Sequence, residues 1–159
     1  MDNTLPDFID YFRQLVVEHA DLQTFVHGAA GRIIAGTRSG FTYPVLWLET
    51  PSMGLTDKDG TAPFGQRASA FVVLHSTEGD SYVDQDAKWA STEALALEVL
   101  SRLRHDKKAR RHTFDLNGGQ LEAVATMTVD NEIGWRYEFS LGDYVGLKYD
   151  ATRWEGKHA

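Results

Sequence analysis

The chain has no cysteine, which removes disulfides, thiolate nucleophiles and thiolate metal sites together. It has no apolar run long enough to cross a bilayer. Its first residues, MDNTLPDFIDYF, start acidic and contain no uninterrupted apolar stretch, so no signal peptide is expected. Positive charge is scarce: 16 Lys and Arg stand against 23 Asp and Glu, a formal net charge of −7. A surface of that sign argues against non-specific binding of nucleic acid.

Catalytic signatures are missing as well. There is no GxSxG and no HExxH, and none of the six histidines pairs with another at HxxxH spacing. The glycines of HGAAGRIIAG lack the Lys-Ser/Thr that a phosphate loop needs, and no GxGxxG occurs. DKDGTAPFG begins like a calcium loop but lacks the later ligands. The acids at positions 57, 59, 78, 80, 84 and 86 lie in polar loops, where solvation accounts for them. No catalytic residue, metal or cofactor is assigned, and the chain is not expected to be an enzyme.

What is present is an ordinary globular composition of 159 residues, 42% apolar and 25% charged, enough for one domain with a real core. Thr4-Leu-Pro-Asp7 reads as a helix start, with a capping Thr and a proline in the opening turn. Phe8, Phe12, Leu15, Val16 and His19 recur at helical spacing, which predicts a helix over residues 5–19. An extended run follows at 23–27. A glycine-punctuated loop then carries Gly28, Gly31, Gly36 and Gly40, with room for a short helical turn at Ile33-Ile34. Pro44 opens the strand Val45–Glu49, whose four consecutive apolar residues predict cover on both faces.

Residues 51–65 read as a long mobile connection, and 67–77 as a long strand pairing back with 45–49 as a wide hairpin. A second helix is expected from a cap at Asp84 or Asp86, with Trp89, Ala96, Val99, Leu100 and Leu103 on one stripe and an end near 104–107. The last hairpin is the clearest. Leu121, Ala123, Ala125, Met127 and Val129 alternate, and residues 130–134 turn. Trp135, Tyr137, Phe139 and Leu141 then alternate in the segment DNEIGWRYEFSL. That row is expected to be core, leaving Arg136 and Glu138 to face the other way. The fold class is therefore α+β: one domain with a mainly antiparallel, mixed sheet of four to five strands, two helices on one face and a long hairpin loop. Residues 1–141 form the domain, and 142–159 are read as a C-terminal extension.

The strongest local charge signal is RLRHDKKARRH, where Arg102, Arg104, Lys107, Lys108, Arg110 and Arg111 surround one acid, Asp106. Cations at a helix C-terminus suit the macrodipole and solvent. The same cluster also offers a patch for phosphates or for an acidic protein face. It has no stacking aromatics of the kind single-stranded nucleic acid requires.

The element order resembles the tail terminator (tail completion) proteins of long-tailed phages. Its marks are an opening helix, an aromatic-Pro strand YPVLWLE, a long loop at 51–65, a second long strand RASAFVVLHST, a helix and a terminal hairpin. The likeness runs over residues 5–141. It implies a structural virion protein of a phage tail or contractile injection system, assembled in the host cytoplasm. Such a protein forms a hexameric ring that ends the tail tube and joins it to the head connector. Its partners would be itself, the tube protein and the connector protein, with no membrane, and with DNA met only in passage through the lumen. A ring needs a heterologous interface. Candidate contacts are the basic run set against the acidic loop 78–86, the loop residues Asp57, Lys58 and Asp59, the pair Arg136 and Glu138, and the extension's Tyr149 and Trp154. The other reading is a protein-binding adaptor or immunity-type module without catalysis.

Overall fold

The computed structural model describes residues 3–29, 40–109, 112–125 and 130–154. Helix α1 spans Leu5–Glu18. The Thr4 hydroxyl accepts from the Asp7 amide, and Pro6 stands in the first turn, where no amide donor is needed. Phe8, Phe12, Leu15 and Val16 are its buried face. His19 ends it, its backbone N–H donating to the carbonyls of Leu15 and Val16.

Helix α2 is 27 residues long, Tyr82–Lys108. Its cap is Ser81, not the expected Asp84 or Asp86. The Ser81 hydroxyl accepts from the Asp84 amide, and the Asp84 carboxylate reaches back to the Glu78 amide at 2.8 Å. Ser81 thus satisfies one orphan donor of the helix start, and Asp84 fixes the turn that leads into it. The expected stripe is buried at Ala96, Val99, Leu100 and Leu103, and Thr92, Leu95 and Asp106 join it.

Strands β1 (Thr24–His27), β2 (Val45–Leu48), β3 (Ser52–Thr56), β4 (Phe64–His75), β5 (Leu121–Ala125) and β6 (Ile133–Tyr144) form one mixed sheet in the order β1-β2-β4-β6-β5. Among the described strands only β1 and β2 pair in parallel. β6 pairs with β4 along all of it, from Phe64↔Tyr144 to His75↔Ile133. β2 and β3 therefore share the other edge of β4: β2 pairs with 71–74 and β3 with 64–68.

The fold class is α+β as expected. The sheet has six strands instead of four to five, partly because residues 51–65 are not all loop. Ser52–Thr56 pairs in register with Ala68–Phe64, leaving the connection only at 57–63. β6 also continues past Leu141 to Tyr144. The short turn expected at Ile33-Ile34, the glycines at 31 and 36, and Met127 and Val129 lie outside the described residues.

Both helices cover one face of the sheet. Phe8 and Phe12 meet Phe139 at ring separations of 6.2 and 5.2 Å, and Phe71 meets Tyr137 at 5.9 Å. Trp135 packs edge-on against Trp89 of α2 and donates its indole N–H to the Trp89 carbonyl at 3.0 Å. The aromatic row is thus core: Tyr137, Phe139 and Leu141 are buried, and Trp135 is half-buried at its rim. Each such side chain contributes about 1.5–3 kcal/mol by burial. A smaller apolar cluster on the opposite face joins Val72 and Leu74 to Val26, Phe41, Trp47 and Val124. Val45, Leu46 and Leu48 of β2 are fully buried, as its unbroken apolar run implies.

Candidate functional site

The basic run divides by structure. Arg102 is held inside the domain, with its guanidinium 2.8 Å from Glu18 of α1 and 2.9 Å from Asp106. These two bonds raise its pKa against the effect of burial. It clamps α2 to α1 and is not part of an open patch. Arg104, Lys107 and Lys108 are exposed on the last turns of α2, while Arg110 and Arg111 lie outside the described residues. The acidic segment 78–86 is at the other end of α2, about 24 Å away at its nearest at 1.5 Å per residue. Basic run and acidic loop therefore cannot meet within one copy.

Asp106, the acid within that run, is buried and central to its surroundings. Tyr11 donates to it at 2.8 Å, Arg102 at 2.9 Å, and His105 Nδ1 lies 3.2 Å away. His112 Nε2 is 3.4 Å from the same Tyr11 hydroxyl. Burial alone would favour the neutral acid. The bonds from Tyr11, His105 and Arg102 outweigh it and hold the carboxyl below its usual range. The signal was present in the sequence: position 106 continues the buried spacing of Val99 and Leu103, so an acid there needed partners.

On the face away from the helices, Arg136 gathers carboxylates. Glu49 and Glu138 are each 2.8 Å from it and Glu122 is 4.0 Å away. Burial works against its charge, but the bonds to Glu138 and Glu49 raise its pKa. Arg136 is thus tied within the sheet, whereas Glu138 stays exposed. This cluster lies in an open groove of about 1260 Å³, whose other wall includes Lys107, Asp115 and the turn at 117–120. Gly119 closes over Tyr137, since an added Cβ would stand 1.7 Å from the Tyr137 hydroxyl oxygen. Its described lining carries acids, amides and the two bases Lys107 and Arg136. Among the described residues no group of three or more His, Asp or Glu side chains is arranged to hold a metal. Ser69, its best-placed hydroxyl, donates to the Glu49 carbonyl at 2.6 Å.

A second polar node was not foreseen. The Tyr43 hydroxyl sits 2.7 Å from both the Asp130 and the fully buried Glu132 carboxyl groups, and its ring stacks on His75. It ties the start of β2 to the turn before β6. Burial, then the two acids, push the Tyr43 phenol far above its ordinary range. Burial, with Lys88 nearby, pulls the His75 imidazole below its own range.

Asp57, Lys58 and Asp59 are exposed at the tip between β3 and β4. After β6 the chain leaves beside that hairpin, with the Val145 amide donating to the Pro63 carbonyl at 2.9 Å. Beyond it Leu147, Tyr149 and Trp154 are 60%, 70% and 71% exposed. A single 3₁₀ turn, Ala151–Arg153, is capped by Asp150. Hairpin tip and aromatic arm thus project from one end of the sheet. The chain after α2 reaches the same end, where Thr113 bridges Gly142 of β6. No family model matches the chain, and no curated protein matches it.

Proposed function

We propose that this chain is a ring-forming structural subunit of the tail-terminator kind, which ends a phage-type tail tube and joins it to the head connector. The observation that carries the reading is the C-terminal arm. Three large apolar side chains stand in solvent on a segment whose root is fixed to the sheet, and surfaces of this type are contact surfaces. The arm and the β3–β4 hairpin leave from the same end. One copy can therefore place its Tyr149 and Trp154 against a different patch of the next, the heterologous contact a ring requires. The outer edge of β3 is unpaired among the described strands and offers backbone groups to a neighbour or to the tube protein. A net charge of −7 keeps duplex DNA from sticking as it passes a lumen.

Electron microscopy of the purified chain, alone and with tail tubes, tests this. Six-fold rings are expected, and deletion of residues 145–159 should abolish them while circular dichroism stays unchanged. Monomers that bind neither tubes nor each other would instead favour an adaptor or immunity-type module. The acid-lined groove around Arg136 would then be the place to look for a basic partner.

A further inference from the structure

The inward face of α2 accounts for its packing, but its outward face is not what a solvated helix presents. Val83, Ala87, Ala90, Ala94, Leu97 and Ser101 are all exposed. Their spacing is 4, 3, 4, 3 and 4, the a/d pattern of a helix–helix seam, and it runs opposite the buried Thr92 and Val99. None of the six is charged, on a helix where charge is otherwise frequent. Val83 is 84% exposed and Leu97 52%, so a large apolar side chain stands toward each end of the stripe, and its alanines permit close approach of a second helix.

We propose that this face pairs with the same face of a second copy, antiparallel, about a two-fold axis. The charges select both the occupant and its direction. Exposed acids, Glu78, Asp80 and Asp86, sit at the start of α2, and exposed bases, Arg104, Lys107 and Lys108, sit at its end. A parallel partner would set like against like. An antiparallel partner turns the acidic start toward the basic end and opposes the helix macrodipoles, while Asp86 comes level with the acid Glu98. The register follows from the seam: Val83 meets Ser101, Ala87 meets Leu97 and Ala90 meets Ala94. The next layer then brings Asp80 onto Arg104. The seam is about 27 Å long, short for a protein–protein interface, and Glu93 lies beside its own two-fold mate. The dimer is therefore concentration-dependent. It is isologous, uses neither the arm nor the hairpin, and stands whether or not rings form.

Because the chain has no cysteine, introduced thiols report the pairing directly. Under mild oxidation, a mixture of the Ala87→Cys and Leu97→Cys chains should give a cross-linked heterodimer at least tenfold faster than either chain alone. In sedimentation of the full chain, Leu97→Glu should abolish dimerisation with the circular dichroism spectrum unchanged. Arg104→Glu should weaken association at least tenfold, and Asp80→Arg with Arg104→Glu should restore it. Equal cross-linking of Ala87→Cys with itself, a double charge variant no better than the single, or a wild-type chain that stays monomeric at high concentration would each overturn the proposal.

Discussion

Tyr11 of α1 donates a 2.8 Å hydrogen bond to Asp106 of α2, a contact between residues 95 positions apart. It places a carboxylate at the bottom of the interhelix seam, where Arg102 and His105 also reach it. Asp106→Asn should cost about 1–3 kcal/mol in denaturant melts, since charge-assisted bonds to a buried group are lost. The pH dependence has a definite sign. A folded-state pKa below the unfolded value means that the unfolded chain binds the proton more readily. The stabilisation is present above the unfolded carboxyl range and is lost as pH falls through the folded pKa. The wild-type chain should therefore lose stability in acid more steeply than Asp106→Asn does.

Tyr43 gives an alkaline counterpart. Its phenol and that of Tyr137 are both pushed up, in each case chiefly by burial. In ultraviolet titration of the folded chain, Tyr43 and Tyr137 should ionise later than an exposed phenol. Tyr43→Phe should remove one late ionisation and lower stability by about 1–3 kcal/mol, because acids packed around the hydroxyl lose a partner. An unchanged count of late tyrosines would show that the hydroxyl is not enclosed as described.

Phe139 sits between both phenylalanines of α1 and Phe71 of β4. Phe139→Ala should cost about 3–5 kcal/mol, the range for emptying a buried aromatic site. Glu138→Ala, one residue away on the exposed face, should change stability by less than about 0.5 kcal/mol. Equal losses from both would mean that the two faces of β6 are not distinguished as core and surface.

α1 and the β6 row are legible because burial leaves a period in the sequence, whereas α2 shows only the stripe Ala96, Val99, Leu100 and Leu103, because apolar residues also occupy its outward face at Val83 and Leu97. β3 is not legible, because Ser52-Met-Gly-Leu-Thr56 has few apolar residues and is exposed. Backbone pairing with the far end of β4 makes it a strand, and pairing leaves no mark on composition. Ser81 followed three residues later by Asp84 is itself a capping signature, masked by the acids at 84 and 86 that also suit a helix start. Arg102 looked like one cation of a patch. Its partner Glu18 lies 84 residues earlier, and only the packing of α1 on α2 brings the two together. Arg136 likewise draws on Glu49, 87 residues away.

The full-length pairing of β6 with β4 has a mechanical consequence. The arm is rooted at the C-terminal end of β6, so a pull on Tyr149 or Trp154 is applied along the strand axis. The ladder bonds lie across that axis, and all twelve residue pairs from Tyr144 to Ile133 take the load in shear instead of parting one after another. An arm attached in this way can hold a neighbour under tension without unravelling the domain from which it extends.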